Sequence, residues 1–208
     1  MEQAASELTG NEPTLALVGP FPDFPPSSSA PDVSVGVLRA SGEYALIACE
    51  SARAGERLFS IDGEPTGAAS RYTIQVATQL HLDLSHGIGL EEMLDSYFWR
   101  FMNHSCEPNS RIEDQQVIAV TDIAAGEEIT FHYNSTDLDM AEPFDCRCGN
   151  VNCAGRIAGF SSATAAERER LRPWLARHLL TGVGSAEGVA GPADGETARV
   201  ADGSKTAY

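Results

Sequence analysis

Residues 100–109 read RFMNHSCEPN, with Asn103 and His104 side by side, Cys106 two places on and Pro108 just behind. A cysteine so near a histidine is a nucleophile beside its base, a metal ligand or a small buried thiol. The other cysteines narrow the choice. Of the five, at 49, 106, 146, 148 and 153, three fall in CRCGNVNC, residues 146–153, as C-x-C-x4-C around Gly149. Three thiols this close, around a glycine that permits a tight turn, can converge on one ion. In a reducing compartment that chemistry suits zinc, which takes four tetrahedral thiolate or imidazole ligands. Three local ligands leave one position: Cys106 is the natural candidate, with Cys49 and His132 as competitors. The plain alternative is three free thiols in a loop, and the spacing matches neither ferredoxin pattern of an iron–sulfur cluster. Four thiolates leave no open coordination position, so such a zinc site is structural, and a metal-bound Cys106 is no nucleophile.

Composition sets the frame. The chain has 208 residues and a formal net charge of −16. Residues 1–32 contain PFPDFPPSSSAPD and no Lys or Arg, too few large apolar groups to offset chain entropy, and residues 181–208 read the same way. Both are expected to be disordered tails around a folded unit of roughly 150 residues. No stretch approaches about 18 consecutive apolar residues and no basic segment precedes an apolar run at the start, so neither a membrane span nor a secretory signal is expected. A cytoplasmic, intracellular location follows by default and disfavours disulfides. Surplus acid repels nucleic acid phosphates, so any charged partner is expected to be cationic; solubility alone is the alternative use of that charge.

The middle of the chain alternates short apolar runs with turn signals, which predicts a mainly β fold with few helices. The candidate strands are 33–38, 44–48, 57–61, 71–76, 80–84, 117–120 and 128–133. A helix is predicted over LEEMLDSYFWRFM, residues 90–102, from apolar residues at three- and four-residue spacing. A second begins at Thr164, where Thr164 and Glu167 fit a capping box, and breaks or kinks at Pro173. No internal repeat is present.

Three segments in order then resemble one family, the SET-domain methyltransferases: RFMNHSCEPN, AAGEEITFHYN (124–134) and FDCRCGNVNCAGRI (144–157). They are similar to the family's R-F-x-N-H-S-C-x-P-N, its G-E-E-L-T-x-D-Y and its post-SET zinc motif. The resemblance is strong over about 97–160 and faint over 33–96. It implies small β-sheets around a knot-like crossing of the NHSC segment and the strand ending in Tyr133. The SET domain would span 33–145, the post-SET motif 146–160 and a C-terminal helix 161–180. It also implies transfer of a methyl group from S-adenosylmethionine to a lysine in a basic protein or peptide, with zinc held by Cys106, Cys146, Cys148 and Cys153.

By the same resemblance Tyr133 is the active-site tyrosine, and Phe131 lines the substrate channel at a position where the family has Phe or Tyr. Asn103 and His104 grip the cofactor through the Asn side chain and backbone groups at the His. Arg100 lies on the cofactor's carboxylate side, with Tyr44 and Tyr72 lining its pocket. The chain also departs from the pattern. The family's G-x-G-L-F-A loop becomes EYALIA (43–48), without the glycines that allow a backbone to approach a ligand closely. Its Y-x-G-E becomes Ile61-Asp62-Gly63-Glu64, which puts Ile61 in the channel in place of a hydroxyl. The Asp before Tyr133 becomes His132, and the post-SET aromatic becomes Arg156 or Ile157. These changes keep two further readings open: a SET-fold enzyme acting on a small molecule in a metabolic pathway, and a non-catalytic interaction module.

Overall fold

The computed structural model describes residues 14–18, 32–40, 42–84 and 87–182. Thirteen short strands dominate these residues: β1 Thr14–Val18, β2 Val35–Ala40, β3 Glu43–Ala48, β4 Arg57–Ser60, β5 Glu64–Thr66, β6 Ile74–Ala77, β7 Leu80–Asp83, β8 Asn103–His104, β9 Ser110–Glu113, β10 Gln116–Ala119, β11 Thr130–Phe131, β12 Phe144–Asp145 and β13 Arg156–Ile157. Three α-helices accompany them: α1 Leu90–Ser96, α2 Ala165–Leu171 and α3 Arg177–Gly182. The fold is therefore mainly β with few helices, as the sequence predicts. Among the described residues no helix is long and apolar enough to cross a membrane.

The strands form small sheets ordered β1-β2-β3, β4-β10-β9 and β5-β7-β6, plus the pairs β8-β11 and β12-β13. β1 lies within the segment whose composition reads as an unstructured tail, yet its TLALV run pairs antiparallel with β2. The rest of 1–31, and 183–208, lie outside the described residues. One core sits between the sheets, where Leu46, Leu58, Phe59, Ile61, Val117, Ile123 and Ile129 are fully buried. The edge-to-face contact of Phe59 with Phe98, ring centroids 5.1 Å apart, fastens β4 to the turn after α1. A second, smaller cluster of Phe160, Ala163, Leu171 and Leu179 holds the C-terminal helices together.

Among the differences from the sequence prediction, three have a local reason. The predicted helix over 90–102 ends at Ser96, and Phe98–Phe101 continue as a 3-10 turn that buries Phe98 and Trp99. Successive bulky aromatics gain more from the core at a three-residue period than from prolonging an exposed α-helix. The predicted strand over 128–133 is reduced to Thr130 and Phe131, with Glu128 making a single bridge to Ile47, because the chain turns into a 3-10 helix at Tyr133. The C-terminal helix is two helices, α2 and α3, with Pro173 in a 3-10 turn between them. At the start of α2 the predicted capping box is formed: Thr164 Oγ1 accepts the Glu167 N–H (3.3 Å) and Glu167 Oε2 accepts the Thr164 N–H (2.7 Å).

The expected crossing of NHSC with the strand before Tyr133 appears as the parallel pair β8-β11, Asn103 opposite Thr130 and His104 opposite Phe131. Asn109, at the end of RFMNHSCEPN, fixes that register. Its Nδ2 donates to the Glu128 carbonyl (2.8 Å) and its Oδ1 accepts the Thr130 N–H (2.9 Å). A buried amide thus satisfies backbone groups that two-residue strands leave unpaired.

Candidate active site and zinc centre

β12 and β13 form a hairpin whose loop is CRCGNVNCAG, closed by the Cys146 N–H on the Gly155 carbonyl at 2.7 Å. This loop brings Cys146, Cys148 and Cys153 to Cys106, and the four sulfurs lie within 4.8 Å of one another. Cys106 Sγ is 3.8 Å from Cys146 Sγ and 4.0 Å from Cys153 Sγ. A tetrahedral ion with Zn–S bonds of about 2.3 Å requires sulfurs about 3.8 Å apart, so the donor set fits zinc. Backbone N–H groups of Cys148, Ala154 and Gly155 point at the sulfurs of Cys146, Cys106 and Cys153 at 3.5, 3.4 and 3.4 Å. Such donors favour thiolates, the form that a metal takes. Cys49 does not join the four-thiol cluster, whereas His132 is within 4.8 Å of Cys106 and His104 in a second grouping.

His104 connects this cluster to Tyr133. Its Nδ1 accepts the Tyr133 N–H at 3.3 Å and its Nε2 lies 3.3 Å from Cys106 Sγ. Because Nδ1 accepts, the proton sits on Nε2 and is directed at the sulfur. The ring stays neutral, its pKa pushed down to about 3 by burial and then by His132. The neutral imidazole thus links the Cys106 thiol to the backbone of the tyrosine.

Tyr133 opens onto a solvent-open cleft, also lined by Tyr72, His81, Arg100, Phe131 and Asp137. The Tyr133 hydroxyl donates to the Met102 carbonyl at 3.0 Å, and its pKa is pushed up to about 12 by burial first and the Asp137 charge second. It remains a neutral phenol with fixed orientation. Phe131 packs on it at 4.8 Å. Arg100 pairs with Asp83 at 2.7 Å and lies over the Tyr72 ring at 4.9 Å, although that ring is 57% exposed. Gly63 has to be a glycine, because a Cβ there would come within 2.5 Å of the Asp83 carbonyl.

Of the residues singled out from the sequence, Arg100, Tyr72, Phe131 and Tyr133 meet in this cleft. Asn103 and Tyr44 meet each other beside it: Asn103 Nδ2 donates to the Tyr44 carbonyl and to Glu128 Oε1, both at 2.8 Å, and the Tyr44 ring packs on Phe101 at 5.1 Å. His104 sits behind, against the thiols. Ile61 is fully buried in the core and does not line the cleft, since an aliphatic side chain gains more from burial than from a polar channel. Neither Arg156, which pairs with Asp145 at 3.1 Å, nor the fully buried Ile157 walls the cleft. Sequence reasoning passed over His81 and Asp137. The available signal was position: Asp137 lies four residues after Tyr133, one turn away.

A profile of the SET domain matches residues 43–134, which hold both crossing segments and Tyr133. Residues 43–134 are a SET domain. The methyltransferase flvH of Aspergillus flavus is 36% identical over 97 residues, covering 45% of this chain and 52% of that protein. The H3 lysine-36 specific histone-lysine N-methyltransferase of Aspergillus oryzae is 37% identical over 86 residues, covering 38% of this chain and 9% of that protein. The chain thus spans about half the length of the first relative and under a tenth of the second. Among solved structures, KRYPTONITE in complex with mCHH DNA, an H3(1-15) peptide and SAH aligns with a TM-score of 0.48 at 22% identity, over 62% of this chain and 30% of that one. The methyltransferase domain of human SETMAR aligns with a TM-score of 0.42 at 20% identity, over 58% and 56%. The thiol cluster of 146–153 follows directly on this SET domain, where a post-SET zinc site is expected.

Proposed function

We propose that the chain is an intracellular S-adenosylmethionine-dependent methyltransferase that N-methylates a lysine in a basic protein or peptide. The observation that carries this reading is the convergence of Tyr133, Phe131, Arg100 and Tyr72 on one cleft within a SET domain. The cleft's residues fit the cofactor in kind: aromatic faces for its apolar and cationic parts, and at one edge the Arg100 guanidinium, which Asp83 orients. Bound S-adenosylmethionine supplies a methyl group on a positively charged sulfur. The chain aligns an amine with that methyl and surrounds it with polar oxygen, chiefly the Tyr133 hydroxyl.

The acidic chain, −16 in formal charge, supports a cationic substrate over a nucleic acid backbone. A second reading takes a small-molecule amine as acceptor; the ion pair of Arg71 with Glu142 (3.7 Å), two residues that line the same cleft, could serve such a compact polar substrate. Purified protein incubated with methyl-labelled cofactor and a panel of lysine-containing basic peptides and free amines separates the two. Label on peptides supports the first, and label on free amines alone supports the second. Tyr133→Phe should cut either transfer at least tenfold with the fold intact, and unchanged transfer would overturn the assignment of the centre.

A further inference from the structure

The cleft contains a carboxylate that the fold holds rigidly without giving it a cationic partner among the described residues. Asp137 follows the 3-10 turn of Tyr133–Ser135, and its N–H donates to the Tyr133 carbonyl at 3.1 Å, so it lies one turn from the tyrosine. Gln75 of β6 clamps it from two sides. The Gln75 N–H donates to Asp137 Oδ1 at 3.1 Å, and the Gln75 side-chain oxygen accepts the Leu138 N–H at 2.8 Å. The segment 158–161 adds a second brace, with the Phe160 N–H on the Asp137 carbonyl at 2.8 Å. Among the described residues this carboxylate pairs with no Arg. Arg100 is engaged by Asp83 and Arg71 by Glu142. A rigid acid without a cationic partner, set beside the tyrosine in a cleft, calls for a cation from outside the chain.

We propose that Asp137 receives the ammonium group of the acceptor amine and takes its proton before methyl transfer. This rests on the cleft being the site of transfer. The balance is simple. One proton passes from nitrogen to the Asp137 carboxylate, the freed lone pair forms the N–C bond to the donor's methyl, and the C–S bond breaks with its electron pair going to sulfur. The sulfonium donor becomes a neutral thioether and the nitrogen regains its positive charge as the methylated product. Burial supports the assignment, because it raises the Asp137 pKa to about 7, where a carboxyl can both bind an ammonium and accept its proton. The other titratable groups around it are His81, Arg100 and Tyr133 inside the cleft and Arg71, Asp139 and Glu142 at its exposed edge. Of these, His81 has its pKa lowered by burial and then by His178.

The test uses the full chain saturated with S-adenosylhomocysteine and titrated with n-butylamine by calorimetry at pH 8.5 and pH 6. Wild type should bind the amine about tenfold more weakly at pH 6, as Asp137 protonates. Asp137→Asn should bind it at least tenfold more weakly at pH 8.5 and lose the pH dependence, while S-adenosylhomocysteine affinity stays within twofold. Asp137→Glu should restore part of the binding, which a purely structural role would not predict. Amine binding by wild type that does not change with pH, or by Asp137→Asn that equals wild type, overturns this role and leaves the methyltransferase reading standing. Failure of S-adenosylhomocysteine itself to bind overturns both.

Discussion

Replacing Asp137 by Asn should make the protein more stable at alkaline pH, and by a calculable amount. In the unfolded chain the carboxyl titrates at 3.8, and in the folded protein burial raises this to about 7. A raised folded pKa means that the native state binds the extra proton between these values. The stability linked to Asp137 is therefore fully present below pH 4 and is lost as pH rises through 7. At 1.36 kcal/mol per pKa unit the full cost of the buried charge is on the order of 4 kcal/mol, and the part that develops between pH 5.5 and 8 is about 2 kcal/mol. Asn keeps the acceptor oxygen for the Gln75 N–H and carries no charge. Urea unfolding of wild type and Asp137→Asn at both pH values isolates the effect, because other titrating groups cancel in the double difference. The variant should gain about 2 kcal/mol on wild type between pH 5.5 and 8. A double difference below about 0.5 kcal/mol would show that Asp137 is not the desolvated carboxyl described here and would remove the physical basis of its proposed role.

Other substitutions separate the zinc centre, the braces of the cleft and the core. Cys148→Ser should lose the metal, read as less than a tenth of a zinc per chain by elemental analysis, and should melt at lower temperature, since a structural zinc contributes folding free energy directly. Gly159→Ala should cost more than about 3 kcal/mol in urea unfolding, because Gly159 has φ 104° and a Cβ there would meet the Leu138 carbonyl at 2.5 Å. Ile61→Ala should cost about 2–5 kcal/mol as a core cavity while cofactor affinity stays within twofold. A change confined to methyl transfer would instead place Ile61 in the channel.

The parts of the structure that were legible in the sequence are those where chemistry fixes both residue type and spacing. C-x-C-x4-C with a distant Cys106 assembles as four close thiols, because a tetrahedral ion tolerates few other arrangements. RFMNHSCEPN and EITFHYN pair as expected, since Asn109 of the first supplies the groups that replace missing strand hydrogen bonds of the second. The capping box at Thr164 was equally readable, because it is local. Features that depend on packing were not. Nothing local separates an Ile at position 61 that lines a channel from one that fills a core, and the core claims it. The helix over 90–102 reads as continuous because its apolar spacing suits either an α-helix or a 3-10 turn. Asp137 offers only its position one turn after Tyr133, because its environment is made by Gln75 from β6 and by 158–161, segments distant in the chain. The Tyr44–Asn103 contact likewise joins residues 59 positions apart.

The most direct test of the account is whether the cleft beside Tyr133 binds S-adenosylmethionine. Calorimetric titration of the cofactor into wild type, Arg100→Ala and Ile61→Ala decides it. One site per chain is expected, weakened at least tenfold by Arg100→Ala and left within twofold by Ile61→Ala. No binding to zinc-loaded wild type at millimolar cofactor would contradict it.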